Sequence, residues 1–139
     1  MQNREIESYW GFISSAIDKL IACLDGFTSE ELDWRPLAGA NSLYILAHHT
    51  LANTEENILG TLCGQVIHRN REAEFTAQAS APALIREEWW QLRERLGFSL
   101  AQVSLAEIDR EHQHPRRGPL TGREVWIVVA RHTSEHLGQ

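Results

Sequence analysis

Apolar residues recur at steps of three and four along most of this chain, and this spacing constrains the fold more than any other feature of the sequence. The first such stripe comprises Ile6, Tyr9, Trp10, Ile13, Ala16, Ile17, Leu20, Ile21 and Leu24. A broad apolar face with this period is typical of an amphipathic α-helix. We find no alternating pattern of the kind that predicts strands. The sequence therefore predicts an all-α fold.

Three more long helices are predicted from their start and stop signals. Asn41-Ser42 can cap a helix that runs from about Leu43 to Cys63 and stops near Gly64. Ser80-Ala81-Pro82 starts the third, since proline is tolerated in a first turn. The capping box Thr121-Gly122-Arg123-Glu124 opens the last helix, which has no stop signal before Gln139. Whether that helix is truncated there stays open.

The connections between these helices differ in length and contain weaker signals. Thr28-Ser29-Glu30-Glu31 is a second capping box and predicts a short helical turn. At most one further turn is expected around Arg69–Glu74, and the segment 112–119 is rich in helix breakers and predicts a loop. Because long links permit a crossover, we expect residues 1–139 to form one four-helix bundle with a crossover connection.

Charge and composition exclude several classes of protein. The formal net charge is −6 and no Lys/Arg cluster is present, so nucleic acid is not an expected partner. The polar N-terminus lacks the apolar core of a signal peptide, and no apolar run reaches the length of a membrane span. Two cysteines are too few for a disulfide scaffold. We expect a cytoplasmic protein that does not bind membranes.

A histidine pair on the last predicted helix is the main candidate site. His132 and His136 extend the apolar stripe of Val125, Val128 and Val129. The i, i+4 spacing places both imidazoles on one helix face, within reach of one cation. Core hydrogen bonds could satisfy them equally well.

A third ligand would have to come from elsewhere in the chain. His68, His112 and His114 lie in polar or breaker-rich segments and are expected to be solvated. His48 and His49 lie on the second long helix, and its periodicity leans weakly towards His48. The spacing of His132-Thr133-Ser134-Glu135-His136 differs from that of the zinc peptidases. Cys63 has no motif that marks it as a nucleophile.

Two segments give the chain a resemblance to the DinB/YfiT-like superfamily of metal-binding helical bundles. One is Trp34-Arg35-Pro36 followed by Asn41-Ser42-Leu43-Tyr44-Ile45-Leu46-Ala47-His48-His49. The other is Leu120-Thr121-Gly122-Arg123-Glu124 leading to His132-x-x-x-His136-Leu137-Gly138-Gln139. With matching helix lengths, the likeness covers nearly the whole chain.

The resemblance implies a metal site with one ligand from the second helix and two from the last. In the family's register the first ligand lies seven residues after the capping serine, which selects His49 after Ser42. His132 and His136 match the closing pair. One divalent ion, zinc or nickel, would leave an open coordination position on three imidazoles.

Some members of the superfamily are thiol-dependent transferases or isomerases, so the resemblance implies a low-molecular-weight thiol and an electrophile as substrates. Glu56 and Glu135 could support the ligands, although solvated carboxylates are expected at such positions. A homodimer is also expected, through the apolar face that holds Trp89 and Trp90. A metal-binding or sensing module without turnover, or a structural interaction module, is the alternative.

Overall fold

The computed structural model describes residues 3–79 and 82–139, and it is mostly helical. The helices are α1 (Arg4–Ala22), α2 (Ser29–Asp33), α3 (Leu43–Thr54), α4 (Arg71–Glu74), α5 (Pro82–Leu100), α6 (Leu105–Asp109) and α7 (Gly122–Gly138). A π-helical segment, Glu55–Leu62, continues α3 without a break. Two short strands, β1 (Glu111–His114) and β2 (Gly118–Thr121), separate α6 from α7.

Four long helical segments, α1, α3 with its π extension, α5 and α7, pack against one another. Their shared core buries the predicted stripe of α1, including Ile13 and Ile17, together with Trp89 from α5 and Trp126 from α7. Trp90 is half exposed, so only the second of the two tryptophans proposed for a dimer interface remains at the surface. The bundle order, its crossover and the homodimer remain predictions.

The helix boundaries follow the predicted signals closely. The Thr28–Glu31 and Thr121–Glu124 capping boxes both form, and Ser42 accepts a hydrogen bond from the Ile45 N–H. Gly64 has a φ of 72° and closes the second long helix, as a residue in the left-handed region commonly does. Helix α5 begins at Pro82, whereas Ser80 and Ala81, part of the predicted start, lie outside the described residues. No helix in the described ranges is both long and apolar enough to span a bilayer.

The chain is mostly helical as predicted, but the expectations that it has no strands and that 112–119 is a solvated loop were wrong. Strands β1 and β2 form an antiparallel hairpin in which His112 pairs with Leu120 and His114 with Gly118. Both histidines point inward and are 4% and 2% exposed. The strands are only four residues long, so their alternation of exposed and buried residues is too short to stand out in a breaker-rich sequence.

The start of α7 lies close against α6, and Gly122 makes this contact possible. A Cβ atom added at Gly122 would lie 2.6 Å from the Ile108 Cα and 2.7 Å from the Glu107 carbonyl oxygen. Both are backbone atoms that cannot rotate away. Because α7 carries two of the candidate ligands, this contact also helps to set where the site lies.

We expect Gly122→Ala to lower the free energy of unfolding by about 2 kcal/mol, since the added methyl group forces α6 and α7 apart. Urea unfolding followed by circular dichroism measures the effect. Gly97→Ala in α5 is the matched control, because a Cβ there meets nothing within 4 Å. It should raise stability by about 0.5–1 kcal/mol through helix propensity. Equal effects of the two substitutions would contradict the close packing.

Candidate metal centre

Three histidines from two helices converge at one point of the helical core. His49 lies on α3, and His132 and His136 lie one turn apart near the end of α7. The His132 Nε2 atom is 2.9 Å from His49 Nε2 and 3.2 Å from His136 Nε2. One ligand atom from each ring lies within 4.8 Å of the other two. These three histidines could hold a metal ion, and neutral imidazole nitrogens are common ligands of zinc, copper, iron and nickel.

The hydrogen bonds of the outer ring nitrogens favour a metal over a purely hydrogen-bonded cluster. His49 Nδ1 lies 2.7 Å from Glu74 Oε1, and His136 Nδ1 lies 2.7 Å from Gln139 Oε1. The Glu74 carboxylate can only accept, so the His49 ring carries its proton on Nδ1 and presents a bare lone pair on Nε2. With the Gln139 amide oxygen placed as the acceptor, the His136 ring does the same. His132 can offer at most one proton between those two lone pairs. A cation satisfies all three nitrogens at once.

Burial favours the neutral forms of His49 and His132, which metal binding requires. It lowers the pKa of His132 to about 3, and the neighbouring His136 and His49 add to this shift. Burial also lowers the pKa of His49, although the Glu74 carboxylate opposes the effect. Imidazoles must be unprotonated to ligate a metal. At neutral pH the two buried rings are therefore in the correct state.

A chain of charged side chains orients His49. Arg69 donates two hydrogen bonds to Glu74, from Nε to Oε2 at 2.8 Å and from an Nη to Oε1 at 2.9 Å. Its other Nη donates to Glu56 Oε2 at 2.9 Å. Burial alone would raise the pKa of Glu74, but the hydrogen bonds from Arg69 and His49 outweigh it and hold that pKa below its usual value. Glu74 thus remains an acceptor that fixes the His49 ring, as carboxylate partners of metal-ligating histidines do.

His114 and Arg116 attach the β1–β2 hairpin to the π-helical segment through Asn57 and Glu56. His114 Nε2–H donates to Asn57 Oδ1 at 3.1 Å, while its Nδ1 accepts the backbone N–H groups of Arg116 and Arg117, each at 3.1 Å. The Arg116 guanidinium also pairs with Glu56 at 2.7 Å. Burial, assisted by Arg116, lowers the pKa of His114 and keeps the ring neutral. His114 therefore holds the β1–β2 turn in place beside the histidine cluster.

A cavity of about 370 Å³ opens on the cluster. His49 and His132 form part of its wall. The remaining lining residues are polar or positively charged: Asn53, Asn57, Arg71, His114, Arg116 and Arg117. A ligand in this cavity could reach the point where the histidines converge.

The other residues singled out in the sequence lie away from the cluster or play a different part. His48 is half buried, stacks on Tyr44 and lies 3.7 Å from a carboxylate oxygen of Glu88. His68 is exposed as predicted, whereas the expectation of solvated His112 and His114 was wrong, because both are buried in the hairpin. His112 binds the Glu107 carbonyl oxygen.

The two carboxylates considered for a supporting role differ sharply. Glu135 is exposed, with 65% of its side chain accessible. Glu56 is 6% exposed and binds Arg69 and Arg116, so the expectation that it is solvated was wrong.

Burial raises the pKa of the Cys63 thiol to about 11. That thiol is thus protonated at neutral pH and unsuited to act as a nucleophile.

Sequence reasoning missed Arg69 and Glu74, which lie in the weak polar segment before α5. Neither belongs to a long apolar stripe, and α4 is only four residues long. Their one local signal was the spacing of five residues between an arginine and a glutamate, which is common in solvated segments. Their importance depends on His49 and Glu56, far away in the sequence.

These features define a helical protein with a three-histidine cluster shared between two helices. A family model for the DinB superfamily matches residues 13–139. The chain belongs to the DinB superfamily.

The fold also resembles that of a solved structure, the conserved protein of a locus from Enterococcus faecalis. The TM-score is 0.73 at 12% sequence identity, over 95% of this chain and 90% of that one. At this identity the likeness concerns the fold alone. No protein with a curated description matches the sequence.

The buried charge network gives a test of the arrangement around His49. Arg69→Met leaves Glu56 and Glu74 buried with fewer partners and should lower the free energy of unfolding by about 3–5 kcal/mol at neutral pH. Since both carboxylates have lowered pKa values in the folded protein, their contribution is lost as the pH falls. The deficit of the variant should therefore shrink below the ordinary glutamate pKa of 4.5.

Arg95→Met is the control for this measurement, because Arg95 pairs with Glu55 at 2.8 Å but is 52% exposed. An exposed pair contributes at most about 1 kcal/mol. Chemical denaturation at several pH values compares the two variants. A loss in Arg69→Met that is as small as in Arg95→Met, or that does not change with pH, would contradict the network.

Proposed function

We propose that this protein is a divalent-metal-dependent thiol transferase or isomerase whose metal ligands are His49, His132 and His136. The observation that carries the proposal is the convergence of three imidazole nitrogens beside a polar cavity. Three protein ligands with room for a fourth are characteristic of catalytic rather than structural zinc sites. Membership of the DinB superfamily supports the same site.

The chain's own residues have defined parts in this scheme. Glu74 holds the His49 ring by its Nδ1–H, and Arg69 keeps Glu74 ionised. His132 and His136 are spaced one helical turn apart on α7, which places both imidazoles on the helix face that meets His49. A zinc or nickel ion held there would lower the pKa of a bound thiol and present it as a thiolate.

The reaction we propose is attack of that sulfur on an electrophilic carbon. The thiol gives up its proton to water, the sulfur electron pair forms the new S–C bond, and the leaving group departs with the electrons of the bond that breaks. In an isomerase the sulfur would add to a double bond and leave again after rotation. The cavity beside His49 and His132 supplies a space for the electrophile.

The first test is the metal content of protein purified without a histidine tag. Wild type loaded with zinc or nickel should retain about one equivalent per chain. We expect His49→Ala and His132→Ala to lose it, because each removes one of three ligands. His48→Ala is the matched control and should retain the metal, since His48 lies beside Glu88 and outside the cluster.

A second measurement separates turnover from binding alone. The metal-loaded wild type is assayed with several low-molecular-weight thiols. Loss of free thiol with a chloronitroarene reports transfer, and conversion of a cis-enone to its trans isomer reports isomerisation. Turnover that disappears in His49→Ala supports the proposal. Metal retention without turnover would instead favour a binding or sensing module, and retention of metal in both ligand variants would reject the site itself.

A further inference from the structure

The cavity beside the histidine cluster is lined by more positive charge than its surroundings neutralise. Arg71 comes from the first residue of α4, and Arg116 and Arg117 come from the β1–β2 turn. Three arginines from two separate elements therefore line the cavity that His49 and His132 also line. In a chain with a net charge of −6, this concentration of positive charge calls for an explanation.

The ion pairs show which of these charges remain available. Glu56 and Glu74 are matched by Arg69 and Arg116. Arg71 and Arg117 form no ion pair within the described ranges 3–79 and 82–139, so two guanidinium groups remain without a carboxylate. The neutral histidines add no negative charge, and a bound divalent ion would make the cavity more positive still. The electrostatics of this space therefore favour an anion.

The turn that carries two of these arginines is held rigidly. His114 Nδ1 accepts the backbone N–H groups of both Arg116 and Arg117, and its other nitrogen is anchored on Asn57. Fixed backbone positions reduce the entropy lost when the side chains close on a ligand. This arrangement is suited to recognition of an anionic group by guanidinium donors.

Asn53 supplies a second and independent indication of a ligand. It is 8% exposed and lines the same cavity, one turn after His49 on α3. Its Oδ1 atom is buried and has no hydrogen-bond donor among the described residues. An unpaired buried amide oxygen is costly, so a donor group on a ligand would stabilise it.

We propose that this cavity is a subsite for the anionic group of a small ligand, a carboxylate or a phosphate, which Arg71 and Arg117 bind while the Asn53 carbonyl oxygen accepts a hydrogen bond from the same ligand. The inference rests on the proposed function and narrows its substrate class to a low-molecular-weight thiol that carries an acidic group. A cavity of about 370 Å³ is within the range of small-molecule sites.

Matched pairs of thiols test this subsite on the cobalt(II)-loaded protein, in which the sulfur-to-cobalt charge-transfer band reports thiol binding directly. 3-Mercaptopropionate is compared with 3-mercapto-1-propanol, and 4′-phosphopantetheine with pantetheine. We expect the anionic member of one pair to bind at least about tenfold more tightly than its neutral partner, as charged hydrogen bonds do. The pair that shows the preference indicates both the anion and its distance from the sulfur.

Substitutions of the two arginines test whether the preference for the anionic thiol arises at this cavity. Arg71→Gln and Arg117→Gln should each remove most of the preference for the anionic thiol and leave binding of the neutral thiol unchanged. Arg4→Gln is the matched control, since it removes the same charge at the start of α1. That part of α1 contacts the start of α7, where Glu5 pairs with Arg123, and not the end of α7 that carries the histidines. It should bind all four thiols like the wild type.

The outcomes separate this inference from the function on which it rests. Neutral thiols that bind as tightly as both acidic ones would overturn the subsite and leave metal-dependent thiol binding in place. A preference that survives in both arginine variants would also overturn it. Absence of a charge-transfer band with every thiol would reject thiol binding at the metal, and the subsite with it.

Discussion

The interaction on which the site depends is the burial of the Arg69 guanidinium between Glu56 and Glu74. The arginine side chain is 6% exposed and the two carboxylates are 7% and 3% exposed. Removing three charged groups from water costs several kcal/mol each, and only close hydrogen-bonded pairing offsets that cost. Through Glu74 the arginine fixes the His49 ring, and through Glu56 and Arg116 it connects to the hairpin. A shift of Arg69 would thus disturb both His49 and the β1–β2 turn, which line the cavity from different sides of the network.

The π-helical segment Glu55–Leu62 contacts the charge network, the hairpin and the apolar core at the same time. Four successive residues, Glu56, Asn57, Ile58 and Leu59, are all buried. In a regular α-helix they would span about 300° around the axis, so neighbours must surround this part of the helix on most sides. The segment packs against α5, α7 and β1. Glu56 and Asn57 bind the charge network and His114, whereas Ile58 and Leu59 belong to the apolar core. Such segments occur frequently at functional sites.

The sequence was informative where a structural signal is local and regular. The apolar stripe of α1, both capping boxes and the i, i+4 pair His132 and His136 each depend on residues within a few positions of one another. For the third histidine, periodicity leaned towards His48, whereas the register counted from Ser42 selected His49. The structure places His49 in the cluster and His48 against Glu88. Hydrophobic periodicity is a weak guide there because a helix that holds a polar cluster does not turn a purely apolar face inward, and the choice of His49 as a metal ligand remains a prediction.

The features that could not be predicted depend on contacts between distant residues. Glu56 looked like an ordinary solvated carboxylate because its partners, Arg69 and Arg116, lie 13 and 60 positions away. The histidines of β1 looked solvated because strands of four residues are too short to show a period. In both cases the polar residue is buried only because a specific partner satisfies it. Burial of an apolar residue can be predicted from the periodicity of its own segment. Burial of a polar residue can be predicted only when its partner, which lies elsewhere in the sequence, is known.

In the function that we propose, charge links the histidine cluster to the arginine-lined cavity. A divalent ion held by three imidazole ligands would keep its full charge and would favour an anionic fourth ligand such as a thiolate over a neutral one. Arg71 and Arg117 extend the same preference to the part of a ligand further from the metal. Their field is screened by salt over about 10 Å, so it selects ligands at the cavity without making the acidic surface attractive to polyanions. In this proposal the unpaired Arg71 in α4 and Arg117 in the β1–β2 turn favour a small acidic ligand.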